Sequence, residues 1–305
     1  MGMPSSAAGR ATLGAAAQSA KPIVKWAGGK SRLLGELIDR VPRRLKTYAE
    51  PFAGGAALFF ALASERAHGE RSFERAILCD RNEELVACYR AVQADVNAVI
   101  EALKSFRHDR ELFYEVRAQD TRGMSDVARA ARFVFLNHTC FNGLWRVNSG
   151  GHFNVPFGKY KNPRILDPEA LRAASGALAD VELRTGDFLD VTGELGRGDF
   201  VYLDPPYVPV SRTASFTAYA KDGFSPSDQE RLARELHTLK GRGVKAMLSN
   251  ADTPVTRRLY AGLQCRALRA PRSISCDGAA RGAAGELLVT TWGASRAREP
   301  LRTAG

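Results

Sequence analysis

Cysteine is scarce and scattered in this chain of 305 residues: Cys79, Cys88, Cys140, Cys265 and Cys276 are odd in number and form no CxxC pair. That argues against a disulfide framework and a structural zinc site, and it fits a reducing, cytoplasmic setting. The five histidines show no HExxH or comparable spacing, so no bound metal is expected. Long apolar runs are missing too, which removes a membrane-spanning helix from consideration. The first twenty residues contain no acidic side chain and no compact leucine-type apolar stretch, so a secretory leader is not expected. Met1-Gly2 with Ser6 formally satisfies a myristoylation pattern, but so short a match is usually chance. A disordered extension over 1–20, or a start codon assigned too early, is the expectation there, with a tail over 294–305.

Two nucleotide-binding patterns are also incomplete. Gly28-Gly29-Lys30-Ser31 looks like a phosphate loop, yet the position that must hold its first glycine is Val24. The turn Glu50-Pro51-Phe52-Ala53-Gly54-Gly55-Ala56 lacks the full GxGxxG fingerprint, Ala56 standing where a further glycine would be expected. Taken alone, it reads equally well as a plain tight turn or as a place where a ligand approaches the backbone at a helix N-terminus.

Positive charge is what the chain has in excess. Lys and Arg total 44 against 33 Asp and Glu, a net +11. A polyanionic partner is the leading explanation, with an inert basic surface as the alternative. The excess is concentrated: between Thr121 and Leu166 stand Arg122, Arg129, Arg132, Arg146, Lys159, Lys161 and Arg164, with Asp126 as the sole acid.

Periodicity indicates an α/β fold. A helix is expected over Ser31–Val41, stopped by Pro42, then a strand at Thr47–Glu50, a helix over Ala56–Ala67 and a buried strand at Ala76–Asp80, with Asn82 capping the next helix. This βαβ opening implies a parallel sheet. Helices near Glu111–Ala118 and Asp126–His138 then interrupt the alternation and lead into a loop rich in glycine and asparagine, Cys140–Arg164. Alternation resumes at Asp167-Pro168, with strands expected at Val181–Arg184, Phe200–Asp204, Val244–Asn250, Gln264–Leu268 and Glu286–Trp292. Ser225-Pro226 with Asp228 forms a capping box for an intervening helix. The organisation expected is a discontinuous catalytic domain, 21–90 plus 168–293, split by a basic insertion over 91–167.

Asp204-Pro205-Pro206-Tyr207 carries the strongest chemical signal. An exocyclic adenine amine is a poor nucleophile because its lone pair is delocalised into the ring. A carboxylate and a backbone carbonyl can each take one amino hydrogen, drawing the nitrogen toward tetrahedral geometry and aiming its lone pair at an electrophilic methyl group. Two prolines stiffen the segment and offer no N–H to compete for the carbonyl. Tyr207 provides a flat face for an extruded base. A merely Pro-stiffened strand end is the plainer reading. Asp80, closing its strand, can accept from a ribose diol; otherwise it is a solvated turn residue beside Arg81. In the insertion, aromatics (Phe141, Trp145, Phe153, Phe157) alternate with amides (Asn142, Asn148, Asn154) and cations (Arg146, Lys159). Such a loop can wedge an aromatic into a base stack while Arg146 reads a guanine edge or holds a phosphate. Some of these residues, Phe157 and Asn148 among them, read equally as packing and turn-capping groups.

In this order the motifs resemble the Dam-type DNA adenine-N6 methyltransferases, from about Lys21 to Trp292. The matching segments are Lys25-Trp26-Ala27-Gly28-Gly29-Lys30, the 50–56 turn, Leu78-Cys79-Asp80-Arg81-Asn82, the 137–160 loop, the 204–207 tetrapeptide, Leu248-Ser249-Asn250 and Arg272-Ser273-Ile274-Ser275. The resemblance implies a seven-stranded, mostly parallel methyltransferase sheet, Rossmann-like, with a helical target-recognition insertion. It implies S-adenosyl-L-methionine as methyl donor and double-stranded DNA as substrate, with a monomer expected. Trp26, Lys30, Phe52, Gly54, Asp80, Asp187 and Asp204 would contact the donor, and Asp204, Pro205, Pro206 and Tyr207 would form the catalytic tetrapeptide. Phe141 and Asn142 match positions that fill the gap left by a flipped base, and Arg146 one that reads guanine; Asn154 and Lys159 complete the expected DNA contacts. His138 stands where relatives often carry arginine, and Trp145 is bulky beside Arg146, so the site need not be the GATC typical of close relatives. Segment Cys276–Arg281 is looser than the family's, leaving Arg281 a weaker candidate. Competing readings are an amino-methyltransferase of RNA or protein, disfavoured because such relatives usually carry Asn before Pro-Pro; a dehydrogenase, disfavoured by the glycine pattern; and a catalytically inactive DNA-binding module.

Overall fold

Apolar pairs such as Tyr48-Ala49 and Ile77-Leu78 are buried on consecutive residues, as strands covered on both faces must be. In the computed structural model, which describes residues 19–30, 33–207, 224–268 and 285–293, these runs form a seven-stranded sheet. The strands are β1 (Arg44–Glu50), β2 (Ser72–Asp80), β3 (Val181–Thr185), β4 (Phe200–Leu203), β5 (Lys245–Ala251), β6 (Gln264–Leu268) and β7 (Glu286–Thr290). Their order is β3-β2-β1-β4-β5-β7-β6. Strands β1 to β5 pair in parallel, whereas β7 is antiparallel to both β5 and β6.

The pleat sends alternate side chains into two cores. Tyr48, Leu78, Phe200 and Met247 face one side and pack with α1 (Leu34–Ile38), α2 (Ala57–Ala67), α3 (Glu83–Leu103), α5 (Asp126–Thr139) and α6 (Pro168–Leu178). Ala49, Ile77, Val201 and Leu248 face the other side and pack with α7 (Phe188–Thr192) and α8 (Pro226–Gly241), with Tyr260 following α9 (Pro254–Leu259). A smaller cluster of Phe113, Val116, Phe135, Leu136, Cys140, Phe153 and Val155 joins α4 (Arg110–Ala118) and α5 to the loop beyond.

Caps act where the sequence places them: Asn82 accepts from Leu85 N, Asp167 accepts from Ala170 N ahead of Pro168, and Ser225 with Asp228 closes a capping box. Other boundaries move. Strands β1 and β2 start earlier than expected because Arg44↔Ser72 already pair; there a single buried residue, Leu45 or Phe73, stands between exposed polar ones and makes no apolar run. The short helices α7 and α9 carry too few turns to show a period. Position 91, the expected start of the insertion, falls inside α3, which is bent at Asp95 (φ −150°, ψ 81°). Helix α5 contributes Ala130, Ala131, Phe133 and Val134 to the larger core. The expectations for Arg272–Ser275, Cys276–Arg281, 1–18 and 294–305 concern segments outside the described residues.

Candidate active site

The carboxyl ends of β1, β2 and β4 share one edge of the sheet, and the chain reverses its progression between β1 and β4, where α/β sheets open a crevice. Gly54, in the turn after β1, has φ +47°, and a Cβ there would lie 2.6 Å from the Trp26 ring. Glycine is thus required both by the dihedral and by the indole laid over it. Tyr89 Oη donates to the Gly54 carbonyl (2.7 Å). Ala56, at the N-cap of α2, is also left-handed (φ 50°), a conformation costing a non-glycine residue about 1–2 kcal/mol.

Asp80 ends β2 and ties the turn down. Its Oδ2 accepts from Gly54 N and its Oδ1 from Asn82 N, both at 2.9 Å, while burial raises its pKa. Phe52 stacks on Phe188 (5.6 Å between centroids) and meets Phe224 edge-on (5.5 Å), giving the rim an aromatic wall. Asp187 caps α7 and is ion-paired with Arg81 and with Arg231 (3.1 Å). The carboxylate read as a cofactor contact therefore already has two cationic partners.

Asp204 follows β4 directly. Its Oδ2 is 2.7 Å from Lys30 Nζ, whereas its Oδ1 is buried without a hydrogen-bond partner among the described residues. Burial pushes the carboxyl up to about 6 against the opposing pull of Lys30, with Glu286 adding a smaller upward push. Lys30 is itself buried; it donates to the Gly28 carbonyl (2.6 Å), lies 3.7 Å from Glu286 Oε1 and sits 4.8 Å from the Tyr207 ring centroid. Tyr207 Oη donates to Glu286. The Pro206 carbonyl accepts from Gln229 Nε2 (2.7 Å), and Gln229 Oε1 in turn accepts from Asn250 Nδ2 (3.2 Å).

Beyond α5 a turn of 3₁₀ helix (Phe141–Gly143) presents Phe141, 49% exposed, and Asn142 in a left-handed conformation (φ 54°). Bridges Cys140↔Phe157 and Val147↔Phe153 make the following loop a hairpin. On it, Arg146 Nε donates to Asn154 Oδ1 (2.7 Å), and Lys159 is exposed. Trp145 packs between Phe133 and Phe153, and Phe157 lies on His108 and Phe113; these three loop aromatics are packing groups. Asn148 Oδ1 accepts from the N–H groups of Gly150 and His152, a turn cap.

The fully buried Asn137 joins the two regions. It accepts from Lys25 N (2.7 Å) and donates to the carbonyls of Lys25 (2.8 Å) and Gly143 (3.1 Å). The segment that carries Trp26 and Lys30 is thereby fastened to the start of the loop after α5. Sequence reasoning overlooked Glu286, Gln229 and this use of Asn137. A lone charge opening the apolar strand Glu286-Leu287-Leu288-Val289 was a faint clue to the first; Gln229 left none.

Comparison with known proteins agrees with the geometry. Residues 26–273 match the family described as D12 class N6 adenine-specific DNA methyltransferase. The type II methyltransferase M.MjaIII of Methanocaldococcus jannaschii is 41% identical over 276 residues, covering 85% of this chain and 94% of the relative. The type II methyltransferase M1.LlaDCHI of Lactococcus lactis subsp. cremoris is 38% identical over 281 residues, covering 90% and 96%. A DNA adenine methylase of Vibrio cholerae is 34% identical over 274 residues, covering 88% and 95%. With an Asp-Pro-Pro-Tyr segment at the switch point of a seven-stranded sheet and relatives aligned along most of its length, the chain belongs to the D12 class of N6 adenine-specific DNA methyltransferases.

Proposed function

We propose that the protein transfers a methyl group from S-adenosyl-L-methionine to the N6 amine of an adenine turned out of double-stranded DNA, at a short GATC-like site. The observation that carries this reading is Asp204 Oδ1, a buried acceptor with no donor among the described residues. Such an atom is costly unless a ligand supplies its hydrogen bond.

The donor contributes an electrophilic methyl on a sulfonium, and this chain's residues fit its requirements. Phe52 offers an apolar face, Gly54 lets the Trp26 indole lie over the turn, and the Asp80 carboxylate, which accepts from the Gly54, Arg81 and Asn82 N–H groups, keeps a lone pair for a ribose hydroxyl. Trp26 lies over the same turn, Lys30 pairs with Asp204, and Asp187 caps α7, whose Phe188 stacks on Phe52. Asp204 Oδ1 accepts one N6 hydrogen. The Pro206 carbonyl is taken by Gln229, which leaves the Pro205 carbonyl to accept the second. So held, the nitrogen lone pair turns toward the methyl carbon, and the proton lost on methylation departs from a hydrogen bond already made to a carboxylate. Tyr207 stacks on the extruded base. Phe141 and Asn142 take its place in the duplex, Arg146 reads a base edge, and Asn154 and Lys159 support the strand.

Incubation with tritium-labelled donor tests the proposal directly: label should enter duplex DNA as N6-methyladenine, and RNA or protein should remain unlabelled. Label found only in RNA or protein, or none in DNA, sinks it. Asp204→Ala should abolish transfer while leaving DNA binding measurable.

A further inference from the structure

Strand β7 owes its first residue's position to its direction. Because β7 runs antiparallel between β5 and β6, its start lies beside the end of β5, with Glu286 in register with Ala251. A carboxylate thus reaches the same sheet edge as Asp204, although it comes from the opposite end of its own strand. Glu286 is 16% exposed, accepts from Tyr207 Oη and lies 3.7 Å from Lys30 Nζ. Lys30 chooses between two carboxylates and stands closer to Asp204, at 2.7 Å. The ammonium is therefore committed to Asp204, and the tyrosine hydroxyl is what Glu286 holds.

We propose that Glu286 is a positioning residue for the methyl transfer, anchoring the Tyr207 ring at the angle on which the extruded adenine stacks. This rests on the function proposed above. The ring is constrained from two directions. Lys30 Nζ sits over one face, 4.8 Å from the centroid, so a base must approach the other face. The hydroxyl, at the far end of the ring from the backbone, is tied to β7, which stops the ring from swinging about its first side-chain bond. Burial, followed by the nearby Asp204 and Glu286 charges, pushes the Tyr207 hydroxyl well above its ordinary range, so it stays a donor at every working pH. A ring fixed beforehand needs no ordering when the base arrives, and that advantage is realised as rate more than as DNA affinity.

Single-turnover methylation, with donor and DNA affinities measured separately, tests the assignment on a duplex carrying a site identified by mapping methylated adenines in an expressing cell. Glu286→Ala should slow transfer ~10–100-fold while DNA and donor affinities stay within ~3-fold. Tyr207→Phe should lose about as much, and Glu286→Ala added to it should cost less than ~2-fold more, since both remove one contact. Glu286→Gln keeps an acceptor oxygen and should stay within ~3-fold of wild type.

The anchor is refuted if Glu286→Ala imposes its full loss on the Tyr207→Phe background, or if Tyr207→Phe runs at the wild-type rate. It is refuted equally if Glu286→Gln is as slow as Glu286→Ala, because the charge beside Lys30 would then be the active feature. Should Glu286→Ala not fold, a slow Tyr207→Phe beside a fast Glu286→Gln supports the anchor, and the reverse pattern overturns it. A wild-type chain that labels no adenine at all defeats the methyl-transfer reading itself, an outcome distinct from each of these.

Discussion

At the residue scale, two carboxylic acids are buried near one another under opposite arrangements. Asp204 has Lys30 as counter-ion and titrates at about 6; Glu50, fully buried and bonded to Tyr48 Oη and Phe59 N, is raised by burial to about 8. Acceptance of an amino hydrogen requires ionised Asp204, so the methylation rate should fall about tenfold per pH unit below about 6. Lys30→Met removes the charge that holds the Asp204 pKa down, so the acid limb should move to higher pH; an unmoved limb in the pH–rate profile would mean another group controls it. Glu50 makes a stability prediction. Its folded pKa lies above its unfolded value, so the folded state holds the proton more tightly, and stability declines as pH rises from about 4.5 to about 8. Glu50→Gln should flatten that decline in melting temperature against pH.

At the element scale, the N-cap of α2 and the loop after α5 depend on single residues. Ala56 tolerates a left-handed φ at a position where glycine would be relaxed. Ala56→Gly should stabilise the chain by about 0.5–1 kcal/mol, strain relief of about 1–2 kcal/mol exceeding glycine's entropic cost; urea denaturation measures it, and destabilisation would show that helix propensity dominates. Asn137→Ala leaves a backbone N–H and two carbonyls without their partner and should cost about 2–4 kcal/mol. Limited proteolysis should then cut near Lys25 before the sheet unfolds. The Ser225 capping box, the helices with full apolar faces and the strands of the βαβ opening were legible because neighbours within a few residues encode them; the boxes at Asp187 and Thr253 were not read. Phe157, Asn148 and Trp145 were harder to assign: the same aromatic–amide alternation serves a DNA-inserting loop and a packed hairpin, and only contact with Phe113, His108 and Phe133 separates the two.

At the scale of the whole molecule, the basic stretch is less positive in space than along the chain. Arg122 and Arg164 pair with Asp120 and Asp167, which flank the 121–166 window, and Arg129 pairs with Glu84 on α3. Arg132 is buried, its guanidinium donating to the Val116 and Arg117 carbonyls at the end of α4. DNA affinity should therefore fall steeply with salt but with a slope smaller than seven phosphate contacts would produce. Lys159→Ala should reduce the slope by about 1 without altering the preferred sequence, whereas Arg146→Ala should relax sequence choice more than overall binding. Binding that ignores salt would remove the hairpin face as the contact surface.

The existence of the strands, the caps at Asn82, Asp167 and Ser225, the glycine turn and the tetrapeptide at the end of its strand were readable from residues close together in the chain, since periodicity and capping act within a turn or two. Folding alone established the reversal of β7, the capture of the Pro206 carbonyl by Gln229, the choice of Lys30 for Asp204 over Glu286, and the bond from Asn137 to the Lys25 backbone. These partners stand tens to more than two hundred residues apart, and local pattern carries no term for which distant donor reaches which buried acceptor.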